Sequence, residues 1–152
     1  MNLQKQKLLD QIGRKILAVL QKNARTPLSR IGDKVGLSAP AVAERVKKLE
    51  EAGIIKGYHA RIDPLAFGQS IAAFIHLTTD AKNYPAVKSM AREVTQIDAC
   101  HHISGEASFI LHVCTSNLVE LESVVGKLSP YGQTQTFIVL SSPVEKQVRV
   151  PL

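Results

Sequence analysis

The chain of 152 residues carries a formal net charge of +6 and is long enough for one ordinary domain or two small ones. Its two cysteines, Cys100 and Cys114, have no CxxC spacing, which argues against a disulfide framework or a zinc site and favours small buried residues of a sheet. Without a signal-peptide core or a run approaching the roughly 18 apolar residues that cross a bilayer, we expect a cytoplasmic protein with no membrane partner.

Positive charge is unevenly distributed along the chain. Residues 1–63 carry 13 Lys and Arg against 6 Asp and Glu, whereas residues 64–152 carry 6 against 7. The excess lies entirely in the first part, as expected for a domain that binds a polyanion such as double-stranded DNA. We predict a DNA-binding domain over residues 1–62, a hinge over residues 63–68 and a second domain over residues 69–152.

Residues 8–20 have apolar side chains three or four positions apart, which predicts a first helix. Downstream, Thr26 is a candidate N-cap, Pro27 suits the first helical position, and Gly36 suits the left-handed end of a helix. After a break of about three residues, Ser38 supplies the next N-cap. These signals predict a helix-turn-helix. The first helix is expected to cover the apolar stripes of the other two and so complete a three-helix unit.

The second helix of this pair has two distinct faces. Val42, Val46 and Leu49 form its apolar stripe, and Pro40 is tolerated in its first turn. The outward face, which suits a DNA major groove, carries Ala41, Glu44, Lys47 and Lys48, with Arg45 on its flank. An ordinary helical hairpin has the same capping residues and the same glycine break. This segment alone therefore does not distinguish a DNA-binding helix-turn-helix from a purely structural hairpin.

The remaining elements are predicted from a change of spacing. Ile54 to Ile62 predicts a short strand that ends at Asp63-Pro64 and leads into the hinge through Gly68. The predicted order beyond it is a strand from residue 69, a helix over about 84–94, strands over 97–104 and 109–114, a helix over 117–128 and a strand over about 133–140. This βαββαβ order predicts an α+β fold whose second domain is a ferredoxin-like sandwich, with both helices on one face of four antiparallel strands.

The predicted strands are apolar on both of their faces. Phe109, Leu111 and Val113 alternate with Ile110, His112 and Cys114, and Phe137 and Val139 alternate with Ile138 and Leu140. Helices cover only one face of such a sheet. We therefore predict a symmetric homodimer in which a second copy covers the other face.

Enzyme sites are weakly indicated. Asp98, Cys100, His102 and Ser104 share one face of a predicted strand, but alternate neighbours lie about 6 to 7 Å apart, too far for a Ser–His hydrogen bond. His101 and His102 are adjacent and point to opposite faces, so they do not chelate one ion. No phosphate-binding glycine loop or dinucleotide fingerprint occurs. We predict no enzyme activity, no cofactor, and neither a catalytic nor a metal site.

Three segments resemble the Lrp/AsnC (feast/famine) family of transcription regulators: LLDQIGRKILAVLQKNAR, VGLSAPAVAERVKKLEEAGIIKGYHARIDP and SPYGQTQTFIVL. The resemblance covers nearly the whole chain. It implies a winged-helix-like helix-turn-helix domain followed by a RAM-type βαββαβ domain. It also implies dimers built by the C-terminal sheets, higher oligomers such as octamers, and amino-acid effectors bound between dimers.

Carried onto this sequence, the resemblance places the DNA-reading motif at about residues 28–47. The residues expected to approach bases or nearby backbone are Ser38, Ala39, Pro40, Ala41, Glu44 and Arg45. The residues expected to hold phosphates are Arg25, Thr26, Ser29, Lys47 and Lys48. Arg45 is the best candidate for a bidentate pair with guanine, whereas Glu44 is equally well explained as a solvated acid.

A family turn of the type Gly-Asp-x-Asp, which helps to form the amino-acid pocket, here reads Gly105-Glu106-Ala107-Ser108. Glu106 keeps a carboxylate and Ser108 replaces the second acid. The candidate effector contacts are Ser104, Gly105, Glu106, Ala107, Ser108, Thr134 and Thr136. The alternative is a hairpin turn that binds nothing. Gly13 also replaces an acid common in the family, which we expect to cost a little helix stability and no function.

Two other functions are compatible with all or part of this sequence pattern. A DNA-compacting architectural protein shares every feature, and only the ratio of specific to non-specific binding separates it from a regulator. A decarboxylase of haem-precursor tetrapyrroles uses a similar two-domain architecture, with histidines near its substrate. The intact basic recognition helix argues against the decarboxylase.

Overall fold

The computed structural model describes residues Leu3–Val144, which divide into two compact units between Ala60 and Arg61. Residues 1–2 and 145–152, the outer ends of the two predicted domains, lie outside the described residues. Between Leu3 and Val144, no helix is both long enough and apolar enough to span a bilayer.

In its described residues, 3–60, the first unit contains four helices around one hydrophobic core. They are α1 (Leu3–Leu8), α2 (Gln11–Lys22), α3 (Leu28–Val35) and α4 (Ala39–Glu51). The buried residues of this core are Ile16, Ile31, Val42, Val46 and Leu49, contributed by α2, α3 and α4. The prediction of one helix over residues 8–20 is wrong at its start, because the Asp10 carboxylate accepts a hydrogen bond from the Gly13 N–H at 2.7 Å and begins α2 there.

The predicted helix-turn-helix is confirmed in α3 and α4. Gly36 ends α3 in the left-handed conformation with φ of 72°, and the Ser38 hydroxyl accepts from the Ala41 N–H at 3.4 Å to begin α4. The predicted capping role of Thr26 is wrong. Its hydroxyl donates to the carbonyl of Asn23 at 2.7 Å, so it closes the preceding turn, and Pro27 takes the N-cap position of α3.

The short strand predicted over residues 54–62 is also wrong. The N–H groups of Ile54 and Ile55 both donate to the Leu49 carbonyl, at 2.9 and 3.1 Å, and their side chains pack against the core of the first unit. No strand of the described chain pairs with this segment. The predicted hinge contains a short 3-10 helix, Pro64–Phe67.

The second unit is a four-stranded antiparallel sheet with strand order β2-β3-β1-β4. Its elements are β1 (Ile71–Thr78), α5 (Tyr84–Glu93), β2 (Ile97–His102), β3 (Phe109–Thr115), α6 (Leu118–Leu128) and β4 (Gln133–Ile138), with 3-10 turns at Ala81–Asn83 and Ser129–Tyr131. The predicted βαββαβ order and ferredoxin-like architecture are confirmed. Strands β2 and β4 each end two residues before the predicted limit.

The two faces of this sheet have different environments. One face packs against α5 and α6 in a core that includes Ile75, Leu77, Val87, Phe109, Leu111, Val113, Val124 and Leu128. We call the opposite side the open face, and it carries Phe74, His76, Ile110, His112, Cys114 and Phe137. Phe74 and Phe137 remain 42% and 43% exposed in the single chain. Of the predicted apolar residues, Ile110, Cys114 and Phe137 lie on the open face, but His76, His112 and Gln135 share it, and the predicted Val139 and Leu140 lie beyond the end of β4.

A β-bulge interrupts the pairing of β2 with β3. Ile97 pairs with Val113 and Ala99 pairs with the adjacent His112, so Asp98 is an extra residue in β2. The Asp98 carboxylate lies 3.2 Å from Nδ1 of His112, on the open face.

This bulge overturns the predicted alignment of Asp98 with Cys100, His102 and Ser104. Cys100 and His102 pair with Leu111 and Phe109, which belong to the core face, and Ser104 lies beyond the end of β2. Strict alternation fails because an inserted residue reverses the sides of the positions that follow it.

Candidate nucleic-acid interface and effector turn

The side of α4 opposite its buried stripe is exposed to solvent. It carries Pro40, Glu44, Lys47, Lys48 and Glu51. Nζ of Lys48 lies 3.2 Å from the Glu44 carboxylate and Nζ of Lys47 lies 3.8 Å from that of Glu51, and all four side chains are more than half exposed. Exposed pairs of this kind are worth only about 0.2–1 kcal/mol, so both lysines can turn toward a phosphate at little cost.

The remaining predicted base-contacting residues lie at the start of α4. Ala39 and Ala41 are half-buried, Pro40 is exposed, and the Ser38 hydroxyl is used in the N-cap. The predicted phosphate contacts Arg25 and Ser29 are exposed, and Thr26 is half-buried. All of these residues belong to the helix-turn-helix and the turn before it.

Arg45 has a partner that the sequence analysis missed. Its two terminal nitrogens donate to the two carboxylate oxygens of Asp10 at 2.9 and 3.0 Å. Asp10 thereby joins α4 to the start of α2, since it also caps α2 through Gly13. The hydrogen bond from Arg45, and then that from the Gly13 N–H, holds the pKa of Asp10 below its ordinary value. Asp10 directly precedes a helical run, which identifies the cap, but the partner lies 35 residues away.

Two clefts of the first unit are lined by cations that were not singled out from the sequence. Lys5 and Lys7 of α1 share a cleft with Arg45 and Lys48 of α4. A second cleft, between the end of α2 and α3, is lined by Lys22, Arg30 and Lys34 together with Thr26. The uneven charge count indicated these residues collectively, although it could not place them.

Gly13 has a structural role that corrects the sequence-based expectation. It is buried, and a Cβ atom at this position would lie 1.9 Å from the carbonyl oxygen of Leu8. A side chain therefore cannot be placed here without moving the turn between α1 and α2. The glycine does more than lower helix propensity.

The turn at residues 105–108 presents only part of the predicted effector set to solvent. Ser104, Gly105 and Glu106 are exposed, whereas Ala107 is buried. The Ser108 hydroxyl donates to the Thr79 carbonyl at 2.9 Å and accepts from the Thr79 N–H at 3.2 Å. Ser108 thus ties the turn to the end of β1, which leaves the Glu106 carboxylate as the exposed charge of the turn.

The two threonines of β4 lie at different distances from this turn. Thr134 pairs with Leu77, which pairs on its other side with Phe109, so Thr134 reaches the same end of the sheet two strand spacings away, or roughly 10 Å. Thr136 pairs with Ile75, about 7 Å further from that end. The structure therefore brings Thr134, but not Thr136, to the end where the turn lies.

Comparisons with known proteins cover both units. Residues 9–50 match the AsnC-type helix-turn-helix domain and residues 72–148 match the Lrp/AsnC ligand binding domain. The chain is 35% identical over 133 residues to the HTH-type transcriptional regulator LrpC of Bacillus subtilis, across 88% of this chain and 92% of LrpC. It is 34% identical over 140 residues to the HTH-type transcriptional regulator FL11 of Pyrococcus abyssi, across 90% of this chain and 93% of FL11.

Solved structures agree with the fold. The structure of Bacillus subtilis LrpC matches with a TM-score of 0.84 and 34% identity over 91% of this chain and 99% of that chain. A feast or famine regulatory protein from Mycobacterium tuberculosis, solved as a complex with L-methionine, matches with a TM-score of 0.84 and 29% identity over 94% of this chain and 99% of that chain.

Proposed function

Because the chain belongs to the Lrp/AsnC family of helix-turn-helix transcriptional regulators, we propose that it reads DNA by placing the outward face of α4 in the major groove. The observation that carries this proposal is the exposed α4 surface with Lys47 and Lys48, backed by a packed helical core. The major groove of B-DNA is wide enough to admit an α-helix, and lysines on the flanks of that helix can contact the phosphates.

Within this surface we divide the contacts by exposure. Pro40, Ala41 and Glu44 lie near the start of α4 and are proposed to approach the bases, while Lys47, Lys48, Arg25, Ser29 and Thr26 are proposed to hold phosphates. Arg45 is proposed first as a positioning residue for α4, since both terminal nitrogens of its guanidinium donate to the Asp10 carboxylate. A guanine contact by Arg45 would require this pair to open.

We propose that the open face forms a homodimer. Phe74 and Phe137 pair across β1 and β4, each is more than two-fifths exposed, and the rings of His112 and His76 lie 5.0 and 4.8 Å from them. A second copy of the same face would remove these rings from water. Two copies would also present two α4 helices to half-sites about 34 to 36 Å, or a multiple of that distance, apart. Assembly of dimers into an octamer follows from the resemblance alone.

We further propose an amino acid as effector, bound beside the turn at residues 105–108. The matched ligand binding domain and the L-methionine complex of the mycobacterial relative support this class of ligand. The exposed Glu106 carboxylate would pair with the ammonium group of the amino acid, in a charge-assisted hydrogen bond. The hydroxyl groups of Ser104 and Thr134 would donate hydrogen bonds to the carboxylate of the amino acid.

These proposals make the chain a cytoplasmic regulator rather than an enzyme. Genome-wide mapping of DNA bound by the full chain, with and without pooled amino acids, tests them. We expect discrete sites whose occupancy changes when amino acids are added. Uniform coverage would indicate an architectural protein instead. A change in absorbance on titration with a tetrapyrrole, without discrete DNA sites, would support the decarboxylase alternative.

A further inference from the structure

We propose that Asp98, His112 and Cys114 form a binding site for a transition-metal ion of the zinc class on the open face. Each residue offers one ligand atom, a carboxylate oxygen, an imidazole nitrogen and a thiol sulfur, and these atoms all lie within 4.8 Å of one another. The proposal does not depend on how the chain binds DNA. It departs from the sequence-based expectation of no metal site, which considered spacing along the chain only.

The positions of the ligand atoms suit a small tetrahedral ion. Zinc bonds of about 2.0–2.3 Å to nitrogen, oxygen and sulfur separate neighbouring ligand atoms by roughly 3.3–3.6 Å. Nδ1 of His112 and Oδ2 of Asp98 are 3.2 Å apart, and Sγ of Cys114 lies within 4.8 Å of both residues' ligand atoms. The carboxylate and the imidazole are thus already at the spacing of zinc ligands, and the sulfur would move toward them when an ion binds.

The local fold explains why these three residues meet. His112 and Cys114 occupy alternate positions of β3 and share the open face, where they pair with Phe74 and Ala72 of β1. The bulge in the neighbouring strand then projects Asp98 toward the same face. Bulges commonly redirect a side chain beside a functional site, and this one supplies the third ligand.

The three proposed ligands differ in how far they are exposed to solvent. Cys114 is only 6% exposed, whereas the side chains of His112 and Asp98 are 32% and 51% exposed. An ion would thus enter past the carboxylate and reach the sulfur at the bottom. This gradient gives an ion access from solvent in the single chain, which is one of the requirements of a binding site for a metal. In the proposed dimer the second copy covers the open face, so a bound ion would lie at the interface between the two copies.

The ligand set selects the class of metal. Ca²⁺ and Mg²⁺ prefer shells made of oxygen, whereas a thiolate with an imidazole favours Zn²⁺ or Co²⁺. Three protein ligands leave one position of the tetrahedron for water or for another donor. We therefore expect one Zn²⁺ or Co²⁺ ion for each chain.

Cobalt titration of the reduced full-length chain tests the site, because Co²⁺ bound to a thiolate has a ligand-to-metal charge-transfer band. We expect the band to saturate at one equivalent in the natural sequence and to be absent in Cys114→Ser. Asp98→Asn should weaken Co²⁺ binding by at least about tenfold, since losing even a hydrogen-bond partner of a ligand weakens metal affinity by roughly 10–100-fold. The matched control is Cys100→Ser, which removes the other free cysteine, on the core face, and should leave the band unchanged.

The proposal is overturned if the natural sequence shows no band at one equivalent, if Cys114→Ser retains it, or if Cys100→Ser loses it. Because Cys114 is buried, its variant is compared by circular dichroism before titration. Asp98 is exposed, so Asp98→Asn probes the site without opening a cavity. Unchanged Co²⁺ affinity in a folded Asp98→Asn variant would equally exclude the site.

Discussion

The guanidinium of Arg45 and the carboxylate of Asp10 are joined by two parallel hydrogen bonds of 2.9 and 3.0 Å, between residues that are 35 positions apart. The same carboxylate accepts the Gly13 N–H at 2.7 Å and begins α2. One acid therefore caps one helix and holds another. The orientation of α4 in the first unit depends in part on this pair, even though Asp10 lies outside the helix-turn-helix.

Two substitutions of Asp10 separate its two roles. Asp10→Asn keeps an N-cap acceptor and loses the ion pair, which should lower the free energy of unfolding by about 0.2–1 kcal/mol. Asp10→Ala loses both interactions and should lower it by a further ~1 kcal/mol. Urea denaturation of the full chain measures both changes. Equal losses in the two variants would show that the cap contributes nothing.

The lowered pKa of Asp10 also predicts a pH dependence. Because the carboxylate is more acidic in the folded chain than its ordinary pKa of 3.8, its stabilising contribution is present above that pKa and is lost as the pH falls through the folded-state pKa. Asp10→Asn should lack this contribution. The difference in unfolding free energy between the two proteins should therefore be constant near neutral pH and shrink in strongly acidic buffer. A difference that grows on acidification would contradict the assignment.

Gly13 and Gly126 form a matched pair of helical glycines. A Cβ at Gly13 would meet the Leu8 carbonyl oxygen at 1.9 Å, whereas a Cβ at Gly126 meets nothing within 4 Å. We expect Gly13→Ala to lower the free energy of unfolding by about 1–3 kcal/mol through overpacking. Gly126→Ala should raise it by about 0.4–1 kcal/mol, because alanine favours the helix. Thermal denaturation of both variants checks these opposite signs.

These residues also show what could be read from the sequence and what could not. Spacing located α3 to α6 and the four strands, because buried residues such as Val87 and Val113 recur at the period of their element. It failed at residues 54–62, where β-type residues have no partner strand, and at Asp98, where a bulge changes the register. Which strands pair, and in which register, depends on tertiary contacts, so the spacing of apolar residues along the chain does not predict it.

The capping residues illustrate the same limit on a smaller scale. Ser38 and Thr26 both carry a hydroxyl before a helix, yet only Ser38 caps one, since Thr26 bonds instead to Asn23 in the preceding turn. At the effector turn, the sequence identified the exposed Glu106, but it did not reveal that the Ser108 hydroxyl is occupied by Thr79. Long-range partners decide which of several local options is realised.

Lys48 is predicted to act on all DNA sequences alike. Lys48→Ala should weaken binding to operator and random DNA by the same factor and reduce the slope of log K against log salt by about one unit, because one phosphate contact is lost. Lys82→Ala, a highly exposed lysine of the second unit, is the matched control and should leave the slope unchanged. Fluorescence anisotropy over a salt series gives both quantities. A loss confined to operator DNA would instead assign Lys48 to base readout.

Arg45→Ala tests the division of roles on α4. If Arg45 mainly positions the helix, the variant should lose the stability of the Asp10 pair and bind operator and random DNA with similar losses. A selective loss of about 1–3 kcal/mol on operator DNA, at one base position, would instead support a bidentate guanine contact. The comparison uses the same anisotropy assay, with Asp10→Asn as the control that removes the pair and leaves the guanidinium.

The open face predicts a dimer that a single charge should disrupt. Phe137→Glu places a carboxylate among Phe74 and the ring of His76, and burying that charge against a second copy is costly. We expect the variant to sediment as a monomer at a concentration where the natural sequence is a dimer. Val119→Glu adds the same charge at an exposed position of α6 and should leave the dimer intact. Monomeric natural protein at micromolar concentration would refute the dimer.

The effector proposal depends on Glu106, because it is the exposed charged group of the turn and the Ser108 hydroxyl already donates to and accepts from Thr79. Glu106→Gln keeps the size of the side chain and removes its charge, so an ammonium group loses its charge-assisted partner. We expect calorimetric titration with L-methionine to show at least about tenfold weaker binding in Glu106→Gln, since hydrogen bonds to charged groups contribute ~1.5–3 kcal/mol. Glu122→Gln, an exposed acid on α6, is the matched control and should bind as the natural sequence does. Equal affinity in Glu106→Gln and Glu122→Gln would show that the turn at residues 105–108 does not hold the ammonium group.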